Sequence, residues 1–240
     1  MIAALPDMLL QHLRIIARTP AVRLAAFVLL PYAALLVGMD IAARYGDLTG
    51  QELPVQFLLS QDRSFGEYLE YALMAATAIM LGLIWKSGAP AAYGFIAVLF
   101  LILDGDNAFE IHESFGFLVA PLVPAGLPME AHHLGEPILF LGVGMLWLAG
   151  IASTLRRAEQ VHILNMLTIT LCIGATAFFG IIVDAAVNFG AQNETAIQIE
   201  AFVEDGGELA MIIVTFLAVI GIYEHHRWTA TETTPGVPSD

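Results

Sequence analysis

The chain is predicted to fold as an all-α, polytopic transmembrane helix bundle with six spans. Three observations carry this. Apolar residues make up 58% of the 240 residues and charged residues only 13%, where a soluble domain carries about 25% charged. Mean hydropathy is +0.76. The apolar residues also fall in long runs rather than at amphipathic spacing.

The spans are read at 21–41, 67–86, 89–110, 135–153, 162–186 and 204–223. The first follows a basic region but is long, contains Pro31 and lacks a small-x-small cleavage site, so it reads as an uncleaved span. Residues 1–228 form one transmembrane domain, and the length leaves no room for a second. Residues 1–12 read as a polar or frayed end. Residues 229–240, rich in Thr, Pro and Ser, read as a disordered tail.

Charge sets the orientation. Of the nine Lys and Arg, all but Arg44 and Arg63 fall on one side of this topology. Basic excess marks the cytoplasmic side, so both termini are placed there, in a cytoplasmic (inner) membrane. Of the 23 acids, all but Asp7, Glu159, Glu224, Glu232 and Asp240 fall on the opposite, outer side. No basic patch exists for nucleic acid. The single cysteine, Cys172, excludes an intrachain disulfide and a thiolate metal cluster, and reads as core packing.

The acids recur in a pattern. An Asp ends one apolar helix, an aromatic follows five residues later, and a Gly-Glu pair opens the next helix. The copies are Asp40/Tyr45/Gly66-Glu67, Asp104/Phe109/Gly135-Glu136 and Asp184/Phe189/Gly207-Glu208. This suggests three helical-hairpin repeats with the six acids as a ring. An acid in the first turn of a helix is also simply favoured by the helix dipole. However, the uninterrupted runs Ala89–Leu103, Pro137–Ile151 and Leu209–Tyr223 fall short of the roughly 20 residues needed to cross the hydrocarbon. Their helices must continue through the acids, which then face the bundle interior or a wet cavity rather than lipid.

Three helices present a polar arc at positions i, i+1 and i+4: Asp106/Asn107/Glu110, His132/His133/Glu136 and Glu204/Asp205/Glu208. The second span adds Glu67, Glu70 and Tyr71. Carboxylates with imidazole and no thiolate are the ligand set for zinc, iron or manganese. Glu130-x-x-His133 has the Glu-x-x-His spacing of di-metal bundles. The candidate metal ligands are Asp106, Glu110, His132, His133, Glu136, Asp184 and Glu208. The candidate catalytic residues are His112, Glu113 and Glu204. On a straight helix His112 points about 120° away from Asp106, so the two meet only if the helix breaks, expected near Gly116. So dense a set of acids needs a metal, shared protons or an Arg partner, and Arg44 and Arg63 are the only basic residues on that side.

The other histidines, His12, His162, His225 and His226, lie among arginines near the inner interface and read as surface residues. Trp85, Trp147, Trp228 and Tyr223 read as an inner aromatic belt. Two outer loops, Pro54–Leu59 and Phe115–Leu127, are too apolar for bulk water and are expected on the membrane surface or folded back as a lid.

The stretches Leu103–Glu113 and Val203–Leu209 resemble a group of functionally uncharacterised bacterial multi-pass membrane proteins with an Asp-x5-His-Glu stretch and a later acidic pair followed by Glu. The resemblance groups Asp106, His112, Glu113, Glu204, Asp205 and Glu208 as a unit and implies no activity. The chain lacks the late His-x-x-x-His of alkaline ceramidase-like hydrolases. It also lacks the Pro-x-[Asp/Glu]-x-x-[Lys/Arg] motif of mitochondrial carriers.

Three functions fit this reading. The first is a metal-dependent membrane enzyme, hydrolase or oxidoreductase, acting on a lipid or other hydrophobic substrate. The second is a cation or proton-coupled transporter. The third is a structural or assembly subunit. The inner halves of the spans carry few polar groups except Asn165, Thr168, Thr170 and Thr176 on the fifth, and transport needs polar groups through the whole thickness. That favours the enzyme. The expected partners are the bilayer, a hydrophobic substrate and a second copy of the chain.

Overall fold

The computed structural model describes residues 5–122, 135–156, 158–183 and 193–232; the side chains of 113, 135, 136, 194 and 229–232 are outside that description. The helices are α1 (Leu5–Ala17), α2 (Pro20–Thr49), α3 (Phe65–Lys86), α4 (Ala92–Phe109), α5 (Ile111–Val119), α6 (Gly135–Leu155), α7 (Gln160–Ala177) and α8 (Glu194–Glu232). Short 3₁₀ turns lie at Val55–Phe57 and Ala120–Leu122, and α7 runs on into a π-helical turn at Phe178–Val183. No strand occurs among the described residues. Among the described residues, six helices are long and apolar enough to cross a membrane, and each overlaps one of the six predicted spans.

Local chemistry sets the helix ends. Pro20 opens α2, where its missing N–H would have had no helical partner anyway. Gly50 closes α2 in the left-handed region at φ 73°, and Gln51 N–H donates to Gly46 O at 2.8 Å. Ser64 caps α3, its Oγ accepting from Glu67 N–H at 3.1 Å. Asn193 Oδ1 accepts from Ala196 N–H at 2.9 Å at the head of α8.

Helix α8 is the hub. It packs against α1, α2, α3, α7 and the π-helical turn. Helix α4 lies on α3 and α6, and α5 lies on α6, so the three helical pairs are not packed alike. Leu81 and Ile84 of α3, Ile96 of α4, Ile169 of α7, and Leu209, Val219 and Ile222 of α8 form the buried centre. Many large apolar side chains are exposed instead, Phe27 and Leu146 at 78% each. On six hydrophobic helices, that surface faces lipid.

The ends of the chain differ from expectation. Residues 5–17 are not a frayed end but helix α1, which lies on α7 and α8 with His12 and Ile16 buried. It folds because Met8, Leu9, His12 and Ile16 share one helical face that the bundle covers. Helix α8 starts ten residues before the expected span and continues to Glu232, beyond the boundary placed at residue 228; residues 233–240 of the expected tail lie outside the described residues. The histidines assigned to the surface are also largely covered. His12 is only 7% exposed. His162 Nδ1 lies 3.0 Å from Tyr93 Oη, and His226 Nε2 lies 2.6 Å from Ser87 Oγ. Their apparent exposure came from their charged neighbours in sequence, whereas α1 and the α3–α4 turn pack over them.

Candidate functional site

The polar groups sort to two ends of the bundle. The α3–α4 and α6–α7 turns and the C-terminal part of α8 form the basic end, joined by His226–Ser87, Tyr93–His162 and an Ala21 N–H bond to Glu224 Oε2 at 2.9 Å. The opposite, acidic end holds a cavity of about 290 Å³. Its wall carries Asp62 and Glu67 at the head of α3, Glu70 on α3, Glu110 and His112 after α4, and Glu204, Asp205 and Glu208 on α8. Leu59, Ser60, Gln61 and Asn107 complete it.

One arginine ties this end together. Asp40, fully buried on α2, accepts from Arg44 Nε at 2.7 Å and from Leu59 N–H at 2.8 Å. Arg44 Nη2 donates to Asp205 Oδ2 at 3.0 Å and to Ser60 Oγ at 3.4 Å. Its Nη1 donates to Gln198 Oε1 at 3.0 Å and Gln198 O at 3.3 Å. A planar guanidinium can serve this many acceptors at once, which an ammonium cannot. The Asp40 bond to Leu59 also explains the fate of the apolar Pro54–Leu59 loop. It folds back, and Leu59 packs on the core and rims the cavity.

The Gly-Glu pair at the head of α3 has a structural role. Glu67 accepts from Arg63 N–H and from Tyr71 Oη, and Tyr71 Oη also reaches Asn107 O on α4 at 3.2 Å. Glu67 therefore caps α3 and locks it to α4. Ser64, rather than Gly66, is the capping residue; Gly66 gives the Leu59 side chain room to pack against it. One turn further on, Glu70 stands within electrostatic reach of Glu208, Asp205 and Glu67.

The break in the third span is at Glu110, not near Gly116. Glu110 adopts φ 50°, ψ 43°, a left-handed conformation that is rare for a side chain of this kind. The reversal brings His112 back onto Asp106. Asp106 is 4% exposed. It accepts the His112 backbone N–H at 2.8 Å and faces its Nδ1 at 3.1 Å. The new helix α5 thus starts with one of its first donors, the His112 N–H, satisfied by the last acid of α4. The His112 ring leans on Phe140 of α6, with centroids 5.9 Å apart.

On α8 the π-helical turn packs against the acids. A Cβ at Gly180 would collide with the Glu208 carboxylate, and one at Gly207 would collide with the Phe179 ring. π-Helical turns recur at functional sites because they shift a helix face by one residue.

Glu110, His112, Glu204 and Glu208 thus share one cavity, with Asp106 behind His112. His132, His133 and Asp184 lie outside the described residues, as do the side chains of Glu113 and Glu136. Asp104 of the proposed ring does not line the cavity. Among the described residues, no three His, Cys, Asp or Glu side chains converge closely enough to hold a metal ion. Gln198 and Asp62 belong to this end but were missed. Gln198 lies seven residues before Asp205, two helical turns back on the same face, a signal hidden by starting the span at residue 204.

Fold and site together define a class: a six-span α-helical membrane protein with a carboxylate-rich, histidine-bearing cavity at one end of the bundle. No family model, curated protein or solved structure matches the chain.

Proposed function

We propose that the protein is a membrane-embedded, metal-dependent enzyme, hydrolytic or oxidative, acting on a lipid or other hydrophobic substrate. The observation that carries this reading is His112 on the wall of a carboxylate-rich cavity, backed by Asp106. A carboxylate on Nδ1 fixes the imidazole and directs Nε2 the other way, the arrangement that orients metal-binding histidines. Glu70, Glu110, Glu204 and Glu208 supply oxygen donors suited to zinc, iron or manganese. A cation there would provide Lewis-acid chemistry, and the remaining carboxylates could move protons. A hydrophobic substrate is supported by the apolar surroundings: Leu59 on the rim, and Phe117 and Leu118 exposed on α5. The positive-inside rule favours the acidic end as the outer one, in a cytoplasmic membrane.

Cation or proton-coupled transport is the second reading. It is favoured by Asn165, Thr168 and Thr215, which are buried in the α7–α8 region between the acidic and basic ends.

Elemental analysis of the purified protein separates the two. The enzyme reading expects zinc, iron or manganese at stoichiometric level, lost in both His112→Ala and Glu208→Ala. Wild-type protein that is folded and metal-free would sink it. Metal-free protein that carries protons or cations into liposomes would select transport.

A further inference from the structure

Helix α1 sits across the basic end with one face on the bundle. Ile16 is seated beside Gly221 of α8, where a Cβ would strike the Ile16 side chain and come within 2.9 Å of Val22 Cγ2. One turn earlier His12 is buried against the same surface, and its Nε2 has no hydrogen-bond partner. Beneath it runs a polar network. Asn165 Nδ2 donates to Tyr93 Oη at 2.7 Å, and Tyr93 Oη meets His162 Nδ1 at 3.0 Å.

Among the described residues, no carboxylate acts on His12; Glu224 of α8, next to His225, is held by the Ala21 N–H at 2.9 Å. The groups acting on it are Asn165 of α7 and His225 of α8. His162 of α7 and His225 of α8 both act on His226, so the neighbourhood is imidazole-rich. Glu159, at the head of α7, acts on His162 and is not among the groups acting on His12. Asp7 and Arg14 of α1 are exposed, as are Arg18 and Arg23 around the start of α2 and Lys86 at the end of α3. A proton placed on His12 would therefore create a buried cation with Asn165 as a neutral partner and no carboxylate acting on it, which a folded chain avoids by moving or neutralising the group.

The remaining surface of α1 is mixed, with apolar side chains beside Asp7, Gln11 and Arg14. Leu5, Leu10, Leu13 and Ile15 are exposed. Such a helix can leave the bundle and still lie in the membrane interface.

We propose that α1 is a proton-released latch: protonation of His12 undocks the helix from α7 and α8 and uncovers the Asn165–Tyr93–His162 network.

The direction follows from linkage. Burial holds the His12 pKa below its ordinary value of 6.5, Asn165 opposes this, and His225 adds to it. The undocked imidazole binds a proton more readily than the docked one. The stabilisation of docking is therefore complete above the undocked value and is lost as pH falls through it toward the docked value.

Spin labels at Gln11→Cys and Ser153→Cys, in a Cys172→Ala background in nanodiscs, report the α1–α6 distance by double electron–electron resonance. A single docked distance is expected at about pH 8, and a longer component should grow at least about threefold by about pH 5.5. His12→Gln should keep the docked distance at both. His225→Gln leaves His12 in place but removes the flanking imidazole, so its response should be smaller. Gly221→Ala should show the longer component at both pH values and so identifies the undocked state. A wild-type distance unchanged with pH, or a wild-type response in either histidine variant, overturns the proposal.

Discussion

Arg44 Nη2 meets Asp205 Oδ2 at 3.0 Å, joining α2 to α8 across 161 residues of sequence. The same guanidinium holds the fully buried Asp40 at 2.7 Å. Arg63, the other basic residue at this end, gives its backbone N–H to Glu67. Arg44 is thus the joint between the first spanning helix, α2, and the helix at the centre of the bundle, and it also holds Asp205 on the wall of the cavity.

Replacing Arg44 with Gln should strand Asp40 as a buried, unpaired acid. Breaking a buried pair by removing one partner costs roughly 3–5 kcal/mol. A large loss of thermal stability in detergent is therefore expected. Arg44→Lys should recover only part of it, because an ammonium cannot reach Asp40, Asp205 and Gln198 together. Equal stability of Arg44→Gln and wild type would show that the joint contributes nothing.

Glu110 separates a backbone role from a side-chain role. Its left-handed conformation carries a penalty of roughly 1–2 kcal/mol for an L-residue. Glu110→Gly should therefore unfold at the same or a higher temperature than wild type, and Glu110→Val should lose about 1 kcal/mol or more. If Glu110→Gly keeps its stability but loses cation binding, the carboxylate itself serves the cavity.

Asp106→Asn should weaken metal binding by about 10–100-fold, the usual effect of removing the group that orients a ligand histidine. The nitrogen chemical shifts of His112 should move with it, reporting a changed tautomer. Asp104→Asn lies two residues away and outside the cavity, so its binding isotherm should overlay wild type. Matching isotherms for both variants would remove Asp106 from the site.

Gly180→Ala places a methyl group where the Glu208 carboxylate now lies. Overpacking of this kind costs about 1–3 kcal/mol. The expected signature is loss of metal or substrate binding beyond any loss of stability, from a residue with no functional group of its own. A variant that binds like wild type would show that Glu208 can be displaced without consequence.

Much of the fold could be read from sequence because membrane helices are local objects. Each satisfies its own backbone hydrogen bonds, and hydropathy reports each one separately. The grouping of Glu204, Asp205 and Glu208, and of Glu67 and Glu70, was legible for the same reason, since helical periodicity needs no knowledge of neighbours. The meeting of Asp106 with His112 was not. It depends on the reversal at Glu110, and an acidic residue in that position looks like a helix continuing. The burial of His12 was hidden as well, because α1 is short and buries its inner face only once α7 and α8 are assembled.

The sequence by itself determined six spans, their order and the segregation of acidic from basic residues, since each is a sum over nearby residues. Only the tertiary structure decided which carboxylates face one another, which of them Arg44 holds, and which histidine of α1 is buried against the bundle. Those outcomes depend on packing between helices distant along the chain, where one guanidinium or one left-handed residue redirects the side chains around it.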